Sequence, residues 1–236
     1  NTSFYDPYWS VLPIVIAGVL AVRGYTEGTY DGTRTLLVLG LVTFWGLRLT
    51  WNWARGWQGL HHIDWRYVDL ERKTGRWFWL VSFSGLQLMP TVLVFLGCLA
   101  LYPALTEAWH PLNWLDFVAA GWTLLAILIE LVADNQLRAF KRSNPEPGTT
   151  LTRGLWRYSR HPNYFGEVAF WWGLYLFGLA ANPQWWWTVV GPLAMTALFH
   201  FVSIPMIEKR HLERRKDYAE VLRRVPRWIP WFPKSG

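Results

Sequence analysis

The sequence predicts an all-α, polytopic membrane protein, and three observations carry that expectation. Six apolar runs reach or approach the length of a bilayer-crossing helix. Nineteen of the 236 residues are tryptophan, a side chain favoured where one ring edge meets lipid and the other meets water. The basic residues gather between alternate apolar runs instead of being spread along the chain.

A hydrocarbon core about 30 Å thick takes roughly 20 helical residues. The runs are Tyr8 to Val22, Thr35 to Trp53, Trp77 to Tyr102, Trp114 to Ala133, Val168 to Ala181 and Trp185 to Ile207. The fifth is short unless it extends back to Tyr164. Pro90 lies inside the third and lacks a backbone donor, so it predicts a kink there, or a division into two short spans. The overall expectation is a transmembrane helix bundle with six spans visible.

Charge sets the expected orientation. Segments 54–76 and 135–165 and the tail from Glu208 carry twenty Lys and Arg, the opposite connections only Arg23 and Arg34. That asymmetry places the long basic segments and the C-terminus in the cytoplasm. It also reads the formal charge of +7 as membrane orientation and predicts no nucleic-acid partner. Mean hydropathy is only +0.10, because polar segments alternate with apolar ones.

Several chemistries are excluded. Cys98 is the sole cysteine, so neither a disulfide framework nor a cysteine zinc site is available. His61 and His62 are adjacent and there is no HExxH pair, so no metal is expected. No Rossmann glycine fingerprint occurs, and any nucleotide must be held by side chains and loops over helices. No signal-peptide pattern opens the chain at Asn1.

The polar residues cluster. Glu130, Asp134 and Arg138 follow one helical face at i, i+4, i+8 as the fourth run ends. Glu130 is open to two readings, a functional carboxylate or one that snorkels to the boundary. Segment 153–167 reads RGLWRYSRHPNYFGE. His161 and Pro162 fit a helix start, since Pro suits the first turn, and His161 is open to a structural or a binding role.

This segment, with DNQLRAFKR at 134–142 before it and EKRHLERRKDYAEVLRRVPRWIP at 208–230 after it, resembles the C-terminal region of the steroid 5α-reductase family. The resemblance covers roughly residues 125–232, and the first half looks like the bacterial branch of that family. It implies one membrane domain over residues 1–236, with substrate-side helices in 1–124 and a cofactor-binding region in 125–232. It also implies a further helix before Asn1, making seven spans in the full protein. Asp134, Arg138, Lys141, Asn163 and Glu167 match the family's NADPH-binding positions. Around them, Asn135, Arg153, Arg157, Arg160, His161, Tyr164, Lys209 and His211 are the other cofactor candidates. Arg pairs bidentately with phosphate and Lys acts as a point charge; carboxylates and amides suit ribose hydroxyls and a carboxamide. Membrane methyltransferases that bind S-adenosylmethionine carry a similar RHPxYxG turn, so the motif alone leaves the cofactor open.

Arg48 and Asn52 lie four apart in the second run, and Asp64 and Tyr67 at the next boundary. A proton donor near a carbonyl stabilises a developing enolate, which makes Tyr67, Asp64 and Arg48 the catalytic candidates. The stretch DWRY is equally open to an anchoring role. Trp45 aligns where the steroid reductases have a substrate-binding Tyr. With Asp6, Trp9, Asn52 and Glu130 it completes the substrate-side set. The expected activity is NADPH-dependent reduction of a carbon–carbon double bond in a steroid-like or other lipid, in a bacterial inner membrane with the site facing the cytoplasm. The alternative is an S-adenosylmethionine-dependent methyltransferase of isoprenylcysteine or phospholipid type; a transporter or a non-enzymatic scaffold is the third. Oligomeric state is not legible.

Overall fold

The structure is a computed structural model describing residues 7–57, 59, 65–107 and 109–234, with backbone alone at 65–67 and 69. The expected residues Asp6 and Asp64 lie outside the described residues, as does the Tyr67 side chain. Every regular element among the described residues is a helix or helical turn. Four continuous helical stretches are long and apolar enough to cross a membrane: Tyr8–Glu27, Leu70–Cys98, Trp114–Arg142 and Pro183–Arg214. The protein is therefore an all-α membrane protein. The described chain divides into two compact units, Asn1–Asp116 with Leu174–Gly191, and Phe117–Gly173 with Pro192–Gly236.

In the first unit, α1 (Tyr8–Glu27) ends at Gly28, whose φ of +68° is left-handed. Gly adopts that conformation without a Cβ penalty, and the Gly28 and Thr29 amides then cap the last carbonyls of the helix. Asp31 starts α2 (Gly32–Gly56) by accepting from the Arg34 amide at 2.9 Å. Gly46 of α2 lies directly against the Ser10 carbonyl and Ile14 of α1, and Ser10 and Thr50 share a 2.8 Å hydroxyl contact. Small residues that let backbones approach are the usual means of joining helices in lipid, where apolar contact with a neighbour gains nothing over contact with a lipid tail.

The third apolar run is preceded by α3 (Trp65–Thr74), starts at the end of a 3₁₀ turn, and continues through α4 (Phe78–Ser82) and α5 (Met89–Cys98). Between α4 and α5 residues Phe83–Leu88 form a π turn. The chain therefore answers Pro90 with a wider turn inside one continuous helix, not with two spans. A missing amide at residue i leaves the i−4 carbonyl to be accommodated, and a π turn does so locally. The same device recurs before Pro205, where Leu198–Ser203 is a π turn. After α5 the short α6 (Leu101–Thr106) packs on α1 and α2.

One buried ion pair fastens this unit. Arg34 is fully buried, with Nε and Nη2 donating to Asp116 at 2.6 and 2.8 Å. Its remaining donors reach the His110 and Pro111 carbonyls at 3.1 and 3.2 Å. Asp31 accepts from the Leu112 amide at 3.2 Å, and Asn113 donates to the Ala180 carbonyl at 3.0 Å. Glu107 accepts from Asn182 and Trp185 at 3.0 and 2.6 Å. The connection before the fourth span is thus tied to α2 and to residues 180–185. From the sequence, Arg34 carries weight only as a marker of orientation.

In the second unit, α7 (Trp114–Arg142) continues nine residues beyond the apolar run, so Asp134 to Arg142 are helical. The following α8 (Pro162–Ala181) takes in Tyr164 and starts at Pro162 itself, where a missing amide costs no hydrogen bond. Gly166 and Gly173 share one face of α8 and press against Glu130 with the Ala126 carbonyl, and against Thr123, on α7. Trp122 seals the contact by donating to the Ala169 carbonyl at 2.8 Å. Beyond lie α9 (Val190–Ala197), α10 (Ile204–Arg214) and α11 (Tyr218–Arg224).

Candidate functional site

The segment with the family-like motif is built as a bracket between α7 and the tail. Gly154 has a φ of +60°, and its missing Cβ leaves room for the Gln136 side chain. Gln136 accepts from the Leu155 amide at 2.9 Å, and Trp156 donates to the Ala133 carbonyl at 3.0 Å. These bonds pin the turn Gly154–Arg157 to α7.

Arg160 then holds the tail. Its Nε donates to Glu208 at 2.7 Å, and its Nη1 donates to the Leu222 and Val225 carbonyls at 3.1 and 2.6 Å. Its amide donates to the Pro226 carbonyl at 2.9 Å. The RHP turn and the VP of the tail are therefore two halves of one clamp. That gives the motif a structural meaning independent of any cofactor.

Glu208 also meets His161, whose Nε2 lies 3.2 Å from its carboxylate, and Arg227 at 3.9 Å. The His161 ring stacks on Tyr164, nearly parallel at 9° with centroids 5.4 Å apart. Burial holds the His161 imidazole below its ordinary pKa, against the opposing pull of Glu208; Arg160 and Arg227 add to the lowering. The unfolded chain, with an ordinary histidine near 6.5, takes up the proton first. Stability should therefore fall as pH drops through about 6.5 and go on falling until folded His161 is protonated. Thermal unfolding between pH 7.5 and 5.5 checks this, and His161→Gln should make the fall shallower.

Around this clamp is a cavity of about 170 Å³. Its wall includes Lys141 from α7, Thr150, Trp156, Arg160 and His161 from the bracket, Asn163 and Tyr164 from α8, and His211, Arg215 and Tyr218 from the tail. Leu137, Leu151, Ile207 and Val221 complete it, and among the described residues no carboxylate lines it. Asp217 accepts from the Thr150 amide and hydroxyl at 2.7 and 2.6 Å, fixing the loop before the bracket onto α11. Across Thr150 and Leu151 lies a more open groove of about 710 Å³, bordered by Gln136, Phe140, Ser143, Glu146 and Arg153.

Tyr218 is 2% exposed. Its ring meets His211 edge-on at 5.0 Å. Among the described residues its buried hydroxyl makes no hydrogen bond of ordinary geometry, although Arg160 is close enough to favour the phenolate. Burial dominates and pushes the phenol above its ordinary range. A buried hydroxyl in this state calls for a partner.

Of the residues expected at a cofactor, Lys141, Arg160, His161, Asn163, Tyr164 and His211 come together in the cavity wall. Asp134 reaches it through Asn163, which donates to it at 3.3 Å. Arg153 borders the groove. Glu167 accepts from Trp171 at 2.9 Å. Arg138 is half-buried on α7, Asn135 and Lys209 are exposed, and the exposed Arg157 lies over the Tyr158 ring. Glu130 is buried against Gly166. The substrate-side residues Arg48, Trp45, Asn52 and Trp9 fall in the first unit. Arg48 and Trp45 are buried there and Asn52 accepts from Arg55 at 3.1 Å.

Sequence reasoning missed Thr150, Arg215 and Tyr218. The spacing 211, 215, 218 follows one helical face and could have pointed to the last two. The helix breaks at Arg215, however, with φ −126° and ψ 122°, so periodicity alone does not place them together.

A family model described as protein of unknown function (DUF1295) matches residues 1–225, which include every residue of the cavity wall. An uncharacterised protein of Schizosaccharomyces pombe is 25% identical over 259 aligned residues, covering 98% of this chain and 73% of that protein. No solved structure matches the chain. Since the match takes in nearly the whole chain, from the first helix through α11, the protein belongs to the DUF1295 family.

Proposed function

We propose that this protein is an NADPH-dependent reductase of the steroid 5α-reductase type, acting on a carbon–carbon double bond of a membrane-dissolved lipid. The observation that carries the reading is the cavity wall, which offers the cations of Lys141 and Arg215 beside the tail-bound Arg160 and, among the described residues, has no carboxylate in its lining. Such a wall suits the phosphates of a dinucleotide and disfavours the cationic sulfonium of S-adenosylmethionine. The residue types in the wall suit phosphate, ribose and carboxamide groups. The cavity of about 170 Å³ is below the roughly 300 Å³ of ordinary ligand sites, but it shares the Thr150–Leu151 wall with the larger groove. The uncommitted Tyr218 hydroxyl supports a ligand with hydrogen-bonding groups at that depth.

Bound NADPH would supply the hydride. Lys141 and Arg215 would hold phosphate oxygens, while Arg160, occupied by Glu208 and the tail carbonyls, would keep the wall in place and add positive potential. Asn163, oriented by Asp134, offers its amide to ribose or carboxamide. Trp156, Leu137, Ile207 and Val221 supply the apolar part of the wall. On this reading the carbonyl oxygen of an enone would need a hydrogen-bond donor, for which Trp45, Arg48 and Asn52 of α2 stay the sequence-based candidates. The basic segments then face the cytoplasm of a bacterial inner membrane.

Ligand-induced stabilisation tests this. A ligand bound only by the folded state at one hundred times its Kd adds about 2.7 kcal/mol. NADPH should raise the melting temperature of the detergent-solubilised protein and S-adenosylmethionine should not. Lys141→Gln and Arg215→Gln should each weaken NADPH binding by roughly tenfold or more, the worth of a charged hydrogen bond. Stabilisation by S-adenosylmethionine alone would reverse the assignment to methyl transfer.

A further inference from the structure

The C-terminal tail carries an apolar surface that the cofactor cavity does not use. After α11 the chain turns back and is fastened to the residues just before α8. The Arg160 amide donates to the Pro226 carbonyl at 2.9 Å, Ser159 to the Trp228 carbonyl at 2.8 Å, and the Trp231 amide to the Tyr158 carbonyl at 2.9 Å. These bonds hold residues 226–231 where the chain is about to enter the apolar helix Pro162–Ala181. So placed, Ile229, Trp231 and Phe232 remain 59%, 70% and 71% exposed. Phe232 meets Trp231 on one side and Tyr158 on the other, edge-on, at 6.1 and 6.0 Å. The rings therefore form one continuous patch, not scattered exposed side chains.

The surrounding charge is mostly positive, with Glu220 of α11 pairing with Arg223 and lying 3.9 Å from Arg224. From Val221 to Gly236 the chain has Arg223, Arg224, Arg227 and Lys234 and no acidic residue. Arg223, Arg224 and Lys234 are exposed, and the Lys234 amide is tied to the Arg224 carbonyl at 2.9 Å. Arg157 is exposed beside Tyr158. Tryptophan, an aliphatic side chain and a ring of Arg and Lys are the composition of a surface that rests in the headgroup region of a bilayer. Positive charge there selects anionic lipid.

We infer that the tail patch formed by Tyr158, Ile229, Trp231 and Phe232 docks into the membrane interface at the basic end of the helices, held there by anionic phospholipid headgroups on Arg223, Arg224 and Lys234. The tail so held would keep the Arg160 clamp closed from outside, since the same backbone segment carries both. The inference needs only a membrane-crossing protein, and stands or falls apart from the cofactor assignment.

The lone native cysteine, Cys98, is buried, so Trp231→Cys gives one accessible thiol. The full chain carrying it would be labelled with a small fluorophore and reconstituted in phosphatidylcholine bilayers with and without phosphatidylglycerol. Phe232→Cys serves as a second reporter of the same face. With anionic lipid, a nitroxide on the shallow acyl chain should quench the label and aqueous iodide should barely reach it. Removing the phosphatidylglycerol, or making Arg223→Gln, Arg224→Gln and Lys234→Gln, should restore iodide access, by roughly fivefold in the docked-to-free ratio for each charge removed. Full iodide access with a silent nitroxide in both reporters would overturn the inference. Protection that depends on the protein-to-lipid ratio instead of lipid charge would overturn it in favour of a second copy of the chain.

Discussion

Arg34→Ala is expected to destabilise the protein by about 3–5 kcal/mol, the cost of leaving one member of a buried ion pair uncompensated. Both side chains of the Arg34–Asp116 pair are fully excluded from solvent. With the guanidinium gone, Asp116 retains only the Asn113 amide, at 2.9 Å, among its described side-chain partners. The His110 carbonyl loses the Arg34 donor as well, while the Pro111 carbonyl keeps the Asn113 side-chain amide at 3.1 Å. Asp116→Ala should be of similar severity, because it buries an unpaired guanidinium. Replacing both by apolar residues should recover part of the loss, since removing two charges together leaves neither stranded. Thermal unfolding in detergent, with recovery of folded protein, reads all three; loss by Arg34→Ala of less than about 1 kcal/mol would refute the argument.

Arg160→Ala should abolish NADPH-induced stabilisation, and its effect should exceed that of any phosphate-facing residue. The change deletes three charge-assisted bonds, to Glu208 and to the Leu222 and Val225 carbonyls, each worth about 1.5–3 kcal/mol. The tail cluster of Tyr218, Val221 and Val225 is then held at α11 chiefly by the Thr150–Asp217 latch. Two walls of the cavity loosen together. Arg160→Lys should rescue little, because one ammonium cannot span a carboxylate and two carbonyls in the geometry of a planar fork. Arg157→Ala, at an exposed position, should cost within about 0.5 kcal/mol. Limited proteolysis of the tail and the NADPH melting shift together separate loss of the wall from loss of one ligand contact.

The clamp also shows how far the sequence could be read. Arg160 is a natural phosphate ligand by its chemistry and by the company it keeps in RHPNY, yet its donors point at the protein's own tail. Nothing in local spacing says so, because its partners are 48 to 65 residues away. Lys141, Asn163, Tyr164 and His211 could be grouped because each lies close to a motif or a span boundary. Arg215 and Tyr218 could not, because the backbone break at Arg215 interrupts the helical phase. Pro90 was legible as a disturbance, but a π turn and a divided span have the same sequence signature, and only the hydrogen-bond geometry separates them.

The apolar runs and the segregation of charge by themselves determined that the chain is helical and membrane-crossing, since burial in lipid acts on contiguous residues and leaves its mark locally. Helix ends were set further out than hydropathy reached, as in α7, where charged residues continue a helix whose backbone bonds are already nucleated. Only the tertiary structure decided which cations are spent on the fold and which border an open cavity. Arg34, Arg160 and Lys141 are alike as sequence symbols. The first is sealed against Asp116, the second closes the tail, and the third borders the cavity. The reason is that a hydrogen bond depends on distance and direction in space, and long-range chain return, not residue type, brings the acceptor within reach.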